Sequence, residues 1–569
     1  MTGDRSQDGG RGSRARPKGR GATAAGLALL AAATLGLCLP LLGGINFTPD
    51  TAEYTGIARR LAEGQGLTTA IKWHFLDHGP VVRPAAVERP ILYPLFGALV
   101  LKLAPAADPF RALQTANALL AALNVVVAVG AFRTVVPPAA AWLGAACLAL
   151  SPGFTQTATV ALSDQLFLLL WLLALWLLPN ARGARGGALF GVLTGLATLT
   201  RPNGALLALG YALYAGARGE RRRAAAVAMM LAMALLVAAP AARTTLAARA
   251  HGLRPGALVN YSVLHIHQAS WEGFGQQIPS PLQLLRQQPA AVLQGIRRKA
   301  RANARALGLF PGPLFLLPLL SLPGALRRRR DPAAAVPPLE AEAAAADGRQ
   351  PTTAAELRRV WWVLAGANLA FYCASWVAAG ALRYLLPTTT LLLPLLLAAG
   401  FRRAGHSSAA RSMAVVLVAG TLLLLAGYWH THCQWMQRRW QPAGWEPYHV
   451  AARWIAAVTG PDEVVASNNP WMIHALTRRP ALACPYFRPG ADLTALARTF
   501  SVRWVVLIVR PGEPRLRHCL QHPAAQLVRT QDRGRRAGIY LFSVAPPPSP
   551  AGRAQRRMRT TKIGGISGR

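Results

Sequence analysis

Long apolar runs alternate along the chain with short polar breaks rich in arginine. A helix crossing a hydrocarbon layer of roughly 30 Å needs about 20 apolar residues. Runs of that order lie near 22–43, 111–133, 138–155, 164–180, 203–217, 224–243, 306–325, 360–381, 385–401 and 412–429, with a shorter one at 186–200. The pattern predicts an α-helical polytopic membrane protein of about eleven transmembrane helices. The first run follows the basic stretch RGSRARPKGR at 11–20 and is too long for a secretory signal, with no convincing cleavage site before Asn46. It reads as an uncleaved first span with its N-terminus inside.

The segment 91–104 decides the orientation of everything after it. It is apolar but holds Pro94 and Lys102, and as a helix it reaches only about 21 Å at 1.5 Å per residue. If it does not cross, the basic breaks at 182–185, 218–223, 327–330 and 402–403 all fall on the cytoplasmic side, as the positive-inside rule asks. If it crosses, all four fall outside. The chain is therefore read with 91–104 dipping into the outer leaflet.

This places the loop 44–110, the short loop 156–163, the loop 244–305 and everything after about 430 outside the cell. The Pro/Ala-rich stretch 326–359 reads as a cytoplasmic linker. Over 446–545 the pattern changes to alternating helix and strand: helix at 451–458, strand at 463–467, helix at 471–476, strand at 503–509. Such alternation predicts a small extracytoplasmic α/β domain. The expected division is a basic tail over 1–21, a transmembrane domain over 22–430 with 44–110 as its outer catalytic loop, the α/β domain over 446–545, and a Pro-, Arg- and Gly-rich disordered tail over 546–569.

Composition strengthens this picture. Of 569 residues 53% are hydrophobic and only 15% charged, against about a quarter charged in ordinary soluble domains, which argues against a cytosolic enzyme. The net charge of +40 would suit a nucleic-acid partner, but the arginines sit between apolar runs, so no nucleic acid is expected. The six cysteines show no CxxC spacing. Cys38, Cys147 and Cys373 fall in spans, and one disulfide among Cys433, Cys484 and Cys519 is compatible with an outer location.

Candidate chemistry gathers on the outer side. In the first outer loop Thr48 caps a helix, Pro49 takes its first position and Asp50 its first turn, which puts Asp50, Glu53, Tyr54, Ile57 and Leu61 on one face. Asp164, after Ser163, begins the fourth span. Each acid is open to two readings, a helix-terminal charge or a carboxylate facing a cavity. The two acids either flank one substrate or share a divalent metal ion with His74 and His78 as further candidate ligands. Arg89, Arg201 and Arg383, the last beside Tyr384, stand at outer boundaries, where guanidinium groups either snorkel to headgroups or fork onto phosphate oxygens. Three together on the side of the acids point to a phosphate-bearing lipid substrate.

Five motifs in order, PDTAEYTGIARRLAEGQGL at 49–67, RPILYP at 89–94, LSDQLF at 162–167, GLATLTRPNG at 195–204 and RYLLP at 383–387, resemble the GT-C superfamily of membrane glycosyltransferases that use polyprenyl-phosphate sugars. That group includes protein mannosyltransferases and aminoarabinose transferases, and the likeness extends over 22–401. The resemblance implies a sugar transferred from a polyprenyl-phosphate donor to a protein, lipid or polysaccharide acceptor, with inversion. It implies Asp50 as general base, Arg201 and Arg383 neutralising the departing phosphate, and Asp164 orienting the acceptor or helping to hold a metal. Relatives often carry two adjacent acids, whereas here Thr51 follows Asp50 and Glu53 comes one turn on, so either acid fits the base. PAARTT at 240–245 lacks the Trp and ArgAsn pair of relatives, and Arg243 carries over only weakly. The competing class is a multi-span transporter or flippase, which would place charges or broken helices at the bilayer midplane.

Overall fold

A computed structural model describes residues 20–42, 48–73, 79–85, 89–216, 220–250, 281–309, 351–374, 382–404, 408–439, 445–484, 493–531 and 537–544. The chain enters through α1 (Arg20–Cys38) and turns into α2 (Pro49–Ala62). Three two-residue strands follow, β1 (Thr68–Thr69), β2 (Ile71–Lys72) and β3 (Arg83–Pro84). The helical body continues with α3 (Leu92–Leu103), α4 (Pro109–Phe132), α5 (Pro138–Leu150), α6 (Pro152–Ala158), α7 (Asp164–Leu177), α8 (Ala184–Thr200), α9 (Ala205–Gly216) and α10 (Glu220–Ala250). It closes with α11 (Pro281–Gln287), α12 (Pro289–Leu309), α13 (Pro351–Ala374), α14 (Leu382–Ala404) and α15 (Ser408–Arg439).

A helix therefore occupies each expected apolar run except 306–325, most of which lies outside the described residues. Among the described residues three helical stretches, Thr23–Leu41, Pro109–Phe132 and Arg223–Ala247, are long and apolar enough to cross a membrane; five shorter apolar ones, Leu92–Leu103 among them, accompany them. The run 138–155 is two helices rather than one. Pro152 denies the residue before it the helical region, and Ser151 sits there with extended ψ, its hydroxyl accepting from the Phe154 amide. α13 is helical from Pro351, so it takes in the last residues of the stretch 326–359.

The body is packed around Phe132, Trp171, Phe190 and Trp361, each 0–1% exposed. α8 meets α10 backbone to backbone at Gly187 and Gly191, where a Cβ would collide with Ala225 and Met229; small residues four apart permit such approach between apolar helices. Buried amides tie the turns at one end. Asn117 donates to the carbonyls of Val160 and Leu162, at 2.5 and 2.9 Å, and Gln165 donates to Phe154 O at 3.0 Å and Thr157 Oγ1 at 2.8 Å. Asn203 reaches Asn368 Oδ1 at 3.0 Å, and Asn368 reaches Thr388 Oγ1 at 2.8 Å, binding the turn after α8 to α13 and α14. A buried amide left unpaired is costly, so these bonds fix the helix ends that carry Asp164, Arg201 and Arg383.

After α16 (Glu446–Val458) comes β4 (Val464–Ser467), α17 (Pro470–Thr477), β5 (Ala481–Ala483), α18 (Leu493–Phe500), β6 (Val502–Val509), α19 (Pro514–Gln521), β7 (Ala525–Gln531) and β8 (Gly538–Val544). The helices and strands anticipated at 451–458, 463–467, 471–476 and 503–509 are present; β5, α18, α19, β7 and β8 add to them. The sheet runs β2-β5-β4-β6-β8-β7, parallel from β2 to β6 and antiparallel beyond. Alternate residues of β6 serve two layers: Val505, Leu507 and Val509 pack with Phe500 and Leu516, and Val506 and Ile508 with Ile455 and Ile473. The edge strand β2 comes from the first loop, so that loop and the C-terminal α/β part share one sheet. Cys484 and Cys519 are free, buried thiols in the same apolar layer, and burial pushes Cys519 up to about 12.

Candidate active site

The N-terminus of α2 forms as its residue types dictate. Thr48 is extended and its hydroxyl accepts from the Thr51 amide at 3.1 Å; Pro49 follows, and Asp50 lies in the first turn. With Thr48 supplying the cap, the Asp50 carboxylate is left for other partners. Its Oδ1 meets Arg89 Nη2 at 2.8 Å and its Oδ2 meets Arg383 Nη2 at 2.9 Å. Burial by itself would raise the Asp50 pKa, but Arg89 and then Arg383 outweigh it and hold the carboxyl at about 2.

Glu53, one turn on, has no exposed surface, whereas Asp50 keeps a quarter of its side chain accessible. Arg89 Nε donates to Glu53 Oε2 at 2.5 Å, its Nη2 touches the same carboxylate, and Trp73 Nε1 donates to Glu53 Oε1 at 3.1 Å. Burial opposes the Arg89 charge, yet Glu53 and Asp50 hold its pKa well above the ordinary guanidinium value. The Arg89 guanidinium also lies over the Tyr54 ring, 5.7 Å from its centre.

Across the site, Asp164 opens α7 behind Ser163, which makes no side-chain cap bond. The buried Asp164 carboxylate pairs with Arg201 Nη1. The Arg201 guanidinium stands 5.2 Å from the centre of the Tyr384 ring, and that of Arg383 4.4 Å from the same ring; Arg383 Nη2 also donates to the Tyr384 hydroxyl. Tyr372 packs on Tyr384 with ring centres 5.8 Å apart. Arg201 and Arg383 thus flank the same Tyr384 ring, so the two ion-paired groups form one continuous site.

Asp50, Glu53, Asp164, Arg89, Arg201, Arg383 and Tyr384 are thus brought together from five segments of the chain. His74 and His78 lie outside the described residues. Arg243 is exposed on α10. Tyr54, expected on the Asp50 face, belongs to the cluster, as do Trp73 and Tyr372, which the sequence reading did not single out. Among the described residues no three His, Cys, Asp or Glu side chains gather to hold a metal, and both oxygens of Asp50 and one of Asp164 face guanidinium groups. Among the described residues that donor set does not fit a divalent ion. Three arginines balance three carboxylates, so an incoming anion meets guanidiniums already paired and must compete for them.

The fold is a bundle of mostly apolar helices with ion pairs gathered at one end, completed by an α/β part. Residues 88–243 match the dolichyl-phosphate-mannose-protein mannosyltransferase family. The fold is similar to that of ArnT from Cupriavidus metallidurans solved with undecaprenyl phosphate, at 14% identity and a TM-score of 0.51, covering 92% of this chain and 99% of that one. It is also similar to the archaeal oligosaccharyltransferase AglB from Archaeoglobus fulgidus, solved with an inhibitory peptide and a dolichol-phosphate. That match has 12% identity and a TM-score of 0.52, over 85% of this chain and 69% of that one. No curated protein matches the chain in sequence.

Proposed function

We propose that this chain is an integral-membrane glycosyltransferase that moves a sugar from a polyprenyl-phosphate donor to an acceptor on the extracytoplasmic face. The observation that carries the reading is the convergence of one accessible acid, Asp50, with three arginines and Tyr384 at one end of a GT-C fold. Asp50 is the general base and Glu53 is not, since Glu53 is sealed behind Arg89 and Trp73.

In the reaction an acceptor hydroxyl or amine attacks the anomeric carbon. The new bond forms as the bond from that carbon to the phosphate oxygen breaks, the electron pair leaves on polyprenyl phosphate, the acceptor proton passes to Asp50, and the anomeric configuration inverts. Arg201 and Arg383, with Tyr384 between them, receive the phosphate and stabilise its growing charge. Asp50 held at about 2 is a weak base until the donor arrives. The donor phosphate competes for Arg383, the hold on Oδ2 loosens, and the carboxylate regains proton affinity; Asp50 is therefore a stronger base with donor bound. Asp164 orients Arg201.

The same reading keeps eleven spans, an inside N-terminus and an outer α/β domain over 446–545. External cysteine labelling tests it: exposed positions within 48–73 and 446–484, such as Gln65 and Asp462, should react and 220–223 should be protected. A transporter is disfavoured by the fold match and by the gathering of the ion pairs at one end of the bundle instead of midway. Incubation of the purified protein with a panel of labelled polyprenyl-phosphate sugars tests the class. Release of polyprenyl phosphate from one of them supports it and names the sugar; tight binding of every donor with no release under any acceptor contradicts it.

A further inference from the structure

The C-terminal α/β part touches the helix that carries Asp50 in two places. On one side, α17 packs on α2 where Gly56 leaves no side chain: a Cβ there would stand 3.0 Å from His474 Nε2. His474 is itself fixed, its Nδ1–H donating to the Arg479 carbonyl at 2.8 Å. On the other side, β5 grips the loop that follows α2. Ile71 and Lys72 run parallel to Ala481 and Leu482, and the Ala481 amide donates to the Ala70 carbonyl at 2.8 Å. Ile71 and Lys72 are 1% and 0% exposed, so this two-residue strand exists because the larger sheet accepts it as an edge.

Trp73 is the next residue after that strand. Its backbone is set by β2, and its indole N–H is delivered to Glu53 Oε1 at 3.1 Å. Glu53 uses its other oxygen on Arg89, and Arg89 in turn holds Asp50 Oδ1 at 2.8 Å. A fully buried carboxylate needs each of its oxygens satisfied. Without the indole N–H, Glu53 would draw Arg89 further onto itself and away from Asp50.

We propose that Trp73 is a positioning residue for Asp50, through which the C-terminal α/β part sets the geometry of the site by way of Glu53 and Arg89. The link is structural, and its catalytic consequence rests on the glycosyltransferase reading above. It gives the α/β part a task within the site that needs no contact with donor or acceptor.

The test compares wild type, Trp73→Phe, Glu53→Gln and the double variant in lipid nanodiscs, reading amide hydrogen exchange at Ala52–Ala58 and Arg89 together with turnover. Phenylalanine keeps most of the ring and removes only the indole N–H. Exchange at Arg89 should quicken about tenfold, the scale of a hydrogen bond lost to a charged group, and turnover should fall with it. In the Glu53→Gln background Trp73→Phe should add nothing further. Unchanged exchange in Trp73→Phe overturns the proposal, as does an equal further loss in the double variant, because Trp73 would then act by packing alone. If Trp73→Phe does not fold, Glu53→Gln reads the same link and must quicken the Arg89 exchange; no change there also overturns it. Faster exchange beside a wild type that turns over no donor removes the glycosyltransferase reading and leaves the positioning role standing.

Discussion

Arg383 and Asp50 stand 333 residues apart in the chain, yet Arg383 Nη2 donates to Asp50 Oδ2 at 2.9 Å. The bond joins the start of α14 to the start of α2 and closes the site across the bundle. In the proposed mechanism it is also the contact that the donor phosphate must open.

Replacing Arg383 by Ala should raise the donor concentration needed for half-maximal rate by about tenfold or more, one charge-assisted hydrogen bond to phosphate being worth about 1.5–3 kcal/mol. Acceptor dependence should change far less. Lysine should rescue only in part, because a point charge cannot span both Asp50 and Tyr384 as a planar fork does. Titration of donor at saturating acceptor checks this, and equal effects on both substrates would remove Arg383 from the phosphate.

Arg201→Ala leaves Asp164, 2% exposed, as a buried charge without its partner. Breaking a buried pair on one side costs about 3–5 kcal/mol. Thermal unfolding of the purified variant should show a large loss, and Arg201→Ala with Asp164→Asn should recover much of it. A single variant as stable as wild type would mean that Asp164 finds another cation.

Stability should respond to acid through Asp50. Its folded-state pKa is depressed, from 3.8 to about 2, so its contribution is complete above the unfolded value and is lost as pH falls through the folded one. The unfolding temperature of wild type and of Asp50→Asn should therefore differ by a constant amount from neutral pH down to about 4 and converge toward pH 2. A gap that closes well above pH 4 would show that the arginines do not hold Asp50.

The parts of this site written in local chemistry were legible before the fold was known. Thr48, Pro49 and Asp50 specify a capped helix start, and α2 begins there. The apolar runs foretold most helices, and the motif order resembles that of the family whose fold the chain is similar to. Pairing was not legible, because the choice between a helix-terminal charge and a paired carboxylate at Asp50 or Asp164 depends on where Arg383 and Arg201 arrive in space. Trp73 escaped for a related reason: Ile71 and Lys72 are too few to show a strand period, and they are extended only because β5 receives them. β5 itself, three residues long, carries equally little signal. The helix break at Ser151 was foreshadowed by Pro152 but hidden inside an apolar run.

The most direct test of the account is acceptor-dependent release of polyprenyl phosphate, followed in a single turnover by wild type and by Asp50→Asn preloaded with the same donor. The account predicts donor bound by both, release by wild type alone, and a rate loss of about 10²–10⁴-fold in the variant, the scale of general-base catalysis. Release by Asp50→Asn at the wild-type rate would contradict it, because the accessible acid among the three arginines would then have no part in the reaction.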